Sequence, residues 1–396
     1  MRTQQITIGL GRRTLLTLAA VTAGLAATAT LAGFAPKAAD PIKIGHYGSM
    51  TGPEATFGQS TDRGITMAIE EINAAGGING RTLELITYDT KGDSGEAGKA
   101  VTRLVSSDKV AAVIGEVASS LSLAGGAVCQ QFGVPMITPS STNPRVTVGR
   151  DFVFRVCFTD DFQALGLAKF AKENLKATKV AILYDQKQAY SKGLRDEFTK
   201  AFKKMGGEIV SDQAYSGGDQ DFSAQLSNIR STGAEVMLVP GYYTDGAAIA
   251  IQARKLGIKM PLLGGDGWDS EQLGKIAGDA IVGSYYSNHS APDQPEMKGF
   301  VEKYRKKYDG QTPDALGGLG YDAAMLLVDA MKRAKSTSNK DLRDAIAATK
   351  DFPGVTGSIT IDKNRNATKS LVIVKLVEKE GQVVPQYVAG VAPDAQ

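Results

Sequence analysis

The chain has 396 residues, 42% hydrophobic and 22% charged, with 45 Gly and 14 Pro: a globular composition on a length that implies more than one core. Formal charge is +3, but residues 1–39 hold Arg2, Arg12, Arg13 and Lys37 and no acid, so residues 40–396 carry 41 basic against 42 acidic groups, a net −1 that excludes a nucleic-acid or anionic-membrane binder. Two histidines (His46, His289) and two cysteines (Cys129, Cys157) leave too little imidazole and thiolate for a zinc site or a disulfide scaffold, so neither a metal nor a cofactor is expected.

Residues 1–39 lead from a basic segment ending at Arg12-Arg13 into the uncharged stretch 15–31, then into Ala-rich sequence up to Asp40. This is the layout of a secretory signal, with cleavage expected between Ala32 and Asp40. A retained anchor is the competing reading, since about 20 apolar residues span a bilayer, although Ala and Thr dominate this run. Arg12-Arg13 before Thr14-Leu15-Leu16 resembles a twin-arginine signal without its flanking residues, so the Sec and twin-arginine routes both stay open. No Cys closes the apolar run, which argues against a lipoprotein, and the expected location is the periplasm.

Short apolar, β-branched runs predict strands at 42–47, 83–88, 110–114, 136–138 and 153–157. Between them, 64–74 places Ile65, Ala68, Ile69 and Ile72 on one helical face and stops at Gly76-Gly77; 96–106 and 119–132 behave likewise. The rhythm resumes with strands at 180–184, 209–211, 236–239, 261–264 and 281–285 and helices near 188–205, 220–232, 244–256 and 270–277. Helices follow at 296–308, 318–334 and 339–349, then strands at 358–362 and 371–377. Strands alternating with helices imply α/β architecture with parallel sheets, here in two blocks divided near 159–162, and the tail implies that the chain crosses between them more than once.

Ligands in such sheets bind beyond the carboxyl ends of the strands. In the first block those loops are rich in hydroxyls: Ser119-Ser120 after the third strand, and Thr138 with Ser140, Ser141 and Thr142 after the fourth. Together with the N-terminus of a helix they favour an anion, although Ser119 and Ser120 also read singly as helix caps. In the second block the loops carry Tyr184, Asp185 and Tyr190, then Tyr242 and Tyr243, then Asp266 and Trp268 among glycines. An anion site facing a carboxylate and aromatics is the complement of a zwitterion.

The segments IKIGHYGSMTGPEATFGQS, GITMAIEEINAAGGINGRTLEL, VIGEVASSLS, PMITPSSTNPRVT, ILYDQKQAYSKGL, QDFSAQL and VPGYYTDGA resemble the periplasmic branched-chain amino acid (Leu/Ile/Val) binding proteins of ABC transporters, in order along nearly the whole mature chain. The resemblance implies a type I periplasmic binding fold: two doubly wound parallel-sheet lobes joined by a three-crossing hinge. It sets 40–159 with 289–368 as the N-terminal lobe and 160–288 with 369–396 as the C-terminal lobe. It also implies a small-molecule ligand, a monomer, and delivery to an inner-membrane ABC permease. By that likeness Ser119, Ser140 (through its backbone) and Thr142 hold the ligand carboxylate, and Asp266 holds the ammonium with Tyr190 and Tyr242 nearby. Phe57 matches the aromatic beside the ligand side chain, and Tyr321 is a further wall. Asp266 is one methylene shorter than the family's usual Glu. Glu116 and Trp268 are departures expected near the side chain, with Glu116 favouring a polar or cationic ligand. The disulfide of the enteric members is missing, so Cys129 and Cys157 are expected as two buried thiols.

Rival classes lack their residues. Gly92-Asp93-Ser94-Gly95 matches a serine-protease string, but αβ alternation is incompatible with that fold and Asp93 or Ser94 reads as a helix cap. No Gly-x-Ser-x-Gly elbow occurs, His46 reads as a packed strand residue, and Gly317-Gly318-Leu319-Gly320 lacks dinucleotide spacing. A protein that binds without catalysing is expected. The open alternatives are a ligand without an α-ammonium, such as a small carboxylate or amide, and service to a separate sensor.

Overall fold

In the computed structural model, which describes residues 40–336 and 338–393, the chain opens with β1 (Ile42–Gly48), α1 (Ala55–Ala74), β2 (Leu83–Asp89), α2 (Ser94–Ser106), β3 (Ala112–Ile114), α3 (Ser119–Phe132), β4 (Met136–Thr138) and β5 (Val153–Arg155). The signal expected at 1–39 lies outside these residues. The five strands form one parallel sheet in the order β2-β1-β3-β4-β5. The runs of β1, β3, β4 and β5 are buried, as a sheet covered by helices requires, whereas the edge strand β2 buries only Leu83 fully. Asp93 caps α2 by accepting the Glu96 N–H at 2.9 Å, and Gly133, at φ 62°, closes α3 with a left-handed residue.

The chain then crosses into a second lobe: α4 (Asp160–Lys169), β6 (Lys179–Asp185), α5 (Ala189–Lys204), β7 (Glu208–Tyr215), α6 (Ser223–Arg230), β8 (Val236–Leu238), α7 (Tyr243–Lys255), β9 (Leu262–Gly264), α8 (Glu271–Ala277) and β10 (Tyr285–Asn288). It returns through α9 (Lys298–Lys307), α10 (Ala315–Arg333) and α11 (Asn339–Ala347), with α10 packed on α1. A small sheet of β11 (Phe352–Gly354), β12 (Gly357–Ile361) and β13 (Ala367–Thr368) follows. A third crossing delivers β14 (Leu371–Lys379) and β15 (Gln382–Val391) to the second sheet, whose order is β15-β14-β10-β9-β8-β6-β7. β6 to β10 run parallel there, whereas β14 and β15 are antiparallel. Among the described residues no helix is long and apolar enough to cross a membrane.

Besides α4, β11 and β13, for which the sequence pattern predicts no element, three elements depart from that pattern. The first helix begins nine residues before 64, because apart from Phe57 its early turns bury small or polar residues, with Ser60 and Thr61 against glycines of α10. There the backbones nearly touch: a Cβ on Gly64 would lie 1.9 Å from the Gly317 carbonyl oxygen, and one on Gly320 2.4 Å from that of Thr61. The strand expected at 281–285 is β10, since residues 278–281 form a 3₁₀ turn and two of the three buried strand residues are the polar Ser287 and Asn288, beside Tyr286. β15 was not foreseen, because Pro385 and Gly390 mark it as a breaker segment; as the sheet's edge strand it tolerates both.

Candidate functional site

On the first lobe, the loops leaving β3 and β4 meet over α3. Ala118, not a serine, holds the N-cap position of α3 and makes no side-chain cap, so neither Ser119 nor Ser120 serves as that cap. The Ser119 hydroxyl accepts the Asn143 N–H at 3.3 Å, and Ser140 Oγ and Thr142 Oγ1 are buried with no hydrogen-bond partner of good geometry among the described residues. Most buried hydroxyls in folded proteins have a partner, so each of these two has capacity left for one. Beside the N-terminus of a fourteen-residue helix, they favour a bound anion.

Glu116 has a different occupation from the one its sequence position implied. Its carboxylate accepts from Ser49 Oγ at 2.6 Å, Thr90 Oγ1 at 3.3 Å and the Ala118 N–H at 2.6 Å, while its carbonyl accepts from Thr138 Oγ1 at 2.6 Å and Ser141 Oγ at 2.9 Å. Burial pushes the carboxyl up and these donors hold it back. It ties three loops together, leaving its oxygens engaged inside the first lobe.

On the second lobe, Asp266 opens the 3₁₀ turn after β9. One carboxylate oxygen accepts from Gln163 Nε2 at 2.6 Å and the other meets His289 Nε2 at 3.1 Å. His289 stacks on Phe158, ring centroids 3.9 Å apart, and burial lowers its pKa against the pull of Asp266. Tyr190 and Tyr242 stack face to face at 5.5 Å, and Tyr190 Oη accepts the Gly267 N–H at 3.2 Å. Phe57 reaches across from α1, edge-on to Tyr242 at 5.5 Å and to Tyr243 at 5.2 Å. The Tyr242 hydroxyl is buried without a hydrogen-bond partner among the described residues, and burial, then repulsion from Glu54, Glu116, Asp266 and Asp160, pushes its pKa well up.

Sequence reasoning missed Asp160. The first residue of α4 is fully buried, neither carboxylate oxygen has a hydrogen-bond partner among the described residues, and Thr142 Oγ1 and Asp266 are its neighbours. Burial pushes its carboxyl well above the usual range, with the Thr142 hydroxyl partly offsetting this. The available signal was position: Asp160 lies within the segment, 159–162, where the two blocks divide.

Two expected residues stand elsewhere. Trp268 is 0% exposed, with its ring laid over Gly264 and Gly246, where a Cβ would come within 2.2 and 2.8 Å of it, so it fills the second lobe's interior instead of narrowing a pocket. Tyr321 Oη donates to Glu71 at 2.8 Å and its ring packs 5.3 Å from Phe300. Glu71 lies fourteen residues past Phe57 on α1; at the helical rise that is about 21 Å along the axis. Ser119, Ser140, Thr142, Phe57, Tyr190, Tyr242 and Asp266 do converge.

The lobes are closed on one another. Tyr243 Oη donates to the Pro53 carbonyl at 2.7 Å, Asn143 Nδ2 to that of Ala189 at 2.8 Å, and the Ala315 N–H to Asp269 at 2.8 Å. Ser120 Oγ accepts the Ala189 N–H at 3.0 Å, so this serine serves the closure. Cys129 and Cys157 are both free and buried, and burial pushes the Cys157 thiol up to about 12. His46 is a buried strand residue paired with Asp62 at 3.0 Å.

A family model described as "Periplasmic binding protein" matches residues 41–382. A leucine-, isoleucine-, valine-, threonine- and alanine-binding protein of Pseudomonas aeruginosa is 33% identical over 86% of this chain and 91% of its own. A Leu/Ile/Val-binding protein of Rhizobium johnstonii is 33% identical over 89% of this chain and 95% of its own. Among solved structures, a leucine-binding protein of Thermotoga maritima superposes with a TM-score of 0.85 at 41% identity, over 90% of this chain and 100% of that one. A branched-chain amino acid transporter substrate-binding protein of Streptococcus pneumoniae, in complex with isoleucine, gives 0.81 at 34% identity, over 88% of this chain and 99% of that one.

Proposed function

Since the chain belongs to the periplasmic binding protein family, we propose that it captures a small L-amino acid, aliphatic or branched-chain, between its lobes and delivers it to an inner-membrane ABC permease. In this reading residues 1–39 direct export by the Sec or twin-arginine route, 40–159 with 289–368 form one lobe, 160–288 with 369–396 the other, and the protein works as a monomer that binds without transforming its ligand.

The observation that carries the reading is the pairing of opposites across a closed cleft. Unpartnered hydroxyls of Ser140 and Thr142 and the start of α3 stand on one side and the carboxylate of Asp266 on the other, with Asp160, whose N–H donates to the Thr142 carbonyl at 2.9 Å, at the junction between them. The ligand carboxylate takes the first set and its ammonium the second. Charge-assisted hydrogen bonds in a water-excluded site supply most of the selectivity for the amino-acid backbone. Phe57 and Tyr242 then border the side chain. Closure is favoured only when both sets of groups have a ligand to share, which couples capture to lobe movement.

A ligand with no ammonium leaves the buried Asp160 carboxylate unpaired, which weighs against a simple carboxylate or amide. The test is calorimetric titration of protein stripped by unfolding and refolding, using the twenty amino acids and a panel of amides and organic acids. Saturable binding of one or more aliphatic amino acids is expected. Silence from every amino acid beside a response to a simple carboxylate refutes the ammonium half of the site.

A further inference from the structure

Arg155, the last residue of β5, is 0% exposed, and its hydrogen bonds go to backbone rather than to an acid. Nη1 donates to the Ser141 carbonyl at 2.6 Å and Nη2 to that of Asn143 at 2.8 Å, with a weaker contact to Thr147 Oγ1 at 3.4 Å. None of the ion pairs among the described residues includes it; Asp160, Asp161 and Asp362 act on it from beyond contact. A buried cation without a paired carboxylate is costly, so a structure that keeps one has a use for it.

The two carbonyls it grips flank Thr142. Across a trans peptide the C=O and the following N–H point in opposite directions, so holding Ser141 O turns the Thr142 N–H away from the guanidinium. The intervening Thr142 carbonyl is fixed from the other side, accepting the Asp160 N–H at 2.9 Å, and Asn143 N–H meets Ser119 Oγ at 3.3 Å. The loop that carries Ser140 and Thr142 is thus clamped from behind by a planar cation whose two donors match two carbonyls.

We propose that Arg155 is a positioning residue for the ligand carboxylate, presenting the Thr142 N–H to it and setting a buried positive charge behind the hydroxyl-rich loop. This deepens the zwitterion reading above and rests on it. The ligand carboxylate adds to the counter-charge that Asp160, Asp161 and Asp362 supply only from beyond contact, so the preference for an acid over its uncharged amide depends on a residue that never touches the ligand.

The test compares wild type, Arg155→Met and Arg155→Lys, with L-leucine and L-alanine as probes and L-leucinamide and L-alaninamide as their uncharged counterparts, by calorimetry and by melting shift at millimolar ligand. Arg155→Met is expected to weaken the acids about 30-fold or more and the amides about 3-fold or less. Arg155→Lys keeps the charge on a head that cannot grip both carbonyls, and is expected to erode the acid preference about 3- to 10-fold. It serves alone should the Met variant not fold. The carboxyl-¹³C resonance of bound L-leucine reports the same change where an amide is too weak to measure, and is expected to move in both variants. Equal losses for acid and amide with an unmoved resonance would show Arg155 to be structural only and overturn the proposal. A wild-type protein that binds neither acid removes the zwitterion reading itself, and the role of Arg155 falls with it.

Discussion

Asp160→Asn is expected to move ligand-free stability and ligand affinity in opposite directions. In the structure the carboxylate is fully buried, with both oxygens unpartnered among the described residues, and Asp266 raises its pKa further. An unsatisfied buried polar group costs about 1–3 kcal/mol, more when charged; Asn keeps the shape and removes the charge, so the ligand-free protein gains about that much. For a chain of this size each kcal/mol moves Tm by about 2 °C, giving a rise of about 2–6 °C. With an amino acid bound, the same change removes a charge-assisted hydrogen bond of about 1.5–3 kcal/mol, a loss of about 10- to 150-fold in affinity. Differential scanning calorimetry of stripped protein and titration with L-leucine read the two effects separately. A fall in Tm together with a fall in affinity would show that Asp160 supports the fold, and an unchanged affinity would remove it from the ammonium site.

Asp266→Ala is expected to lower amino-acid affinity at least about tenfold, since it also releases Gln163 and His289, whereas Ser94→Ala at the exposed start of α2 leaves titration curves unchanged. Tyr321→Phe removes only the hydrogen bond to Glu71 and leaves ligand affinity as it was; Trp268→Leu opens a cavity in the second lobe, lowering Tm by several degrees while the rank order of ligands persists. Glu54 is pushed up to about 7, chiefly by burial and then by Asp245 and Glu116, from an ordinary 4.5. A raised carboxyl pKa means that the closed protein holds this proton more tightly than the unfolded chain, so stability declines as pH rises from about 4.5 through about 7. Melting curves across that window should show the decline, and Glu54→Gln should flatten it.

Periodicity carried most of the fold. Strands such as β4 are short, apolar and bounded by turn residues, which fixes them without tertiary knowledge. The pattern failed where burial is achieved with polar or missing side chains: Ser60 and Thr61 in α1, Ser287 and Asn288 in β10. The loop chemistry brought Ser119, Ser140 and Thr142 toward Asp266 because strand ends in such sheets share one edge. Glu116 and Trp268 went astray for a common reason, since adjacency in sequence fixes a residue's neighbourhood but not the direction of its side chain; Tyr321 rested on the resemblance alone and stands beside Glu71 and Phe300. Trp268 sits two residues from Asp266 and turns into the lobe, because Gly246 and Gly264 leave the room it fills. Asp160 and Arg155 were invisible because their meaning lies in which partners they lack.

The glycine seam between α1 and α10 makes a long lever of the first helix. Twenty residues of α-helix extend about 30 Å, and at Thr61 and Gly64 α1 lies backbone against backbone on Gly320 and Gly317 of α10, with no side chain between them there to flex. Its first turn carries Thr56, hydrogen-bonded to Ser270 at 2.9 Å, and Phe57, whose ring meets Tyr242 and Tyr243 of the opposite lobe. An added methyl at position 64 would wedge the seam apart and shift that ring with the helix that carries it. The shape of the side-chain pocket is therefore written partly in glycines that no ligand ever meets.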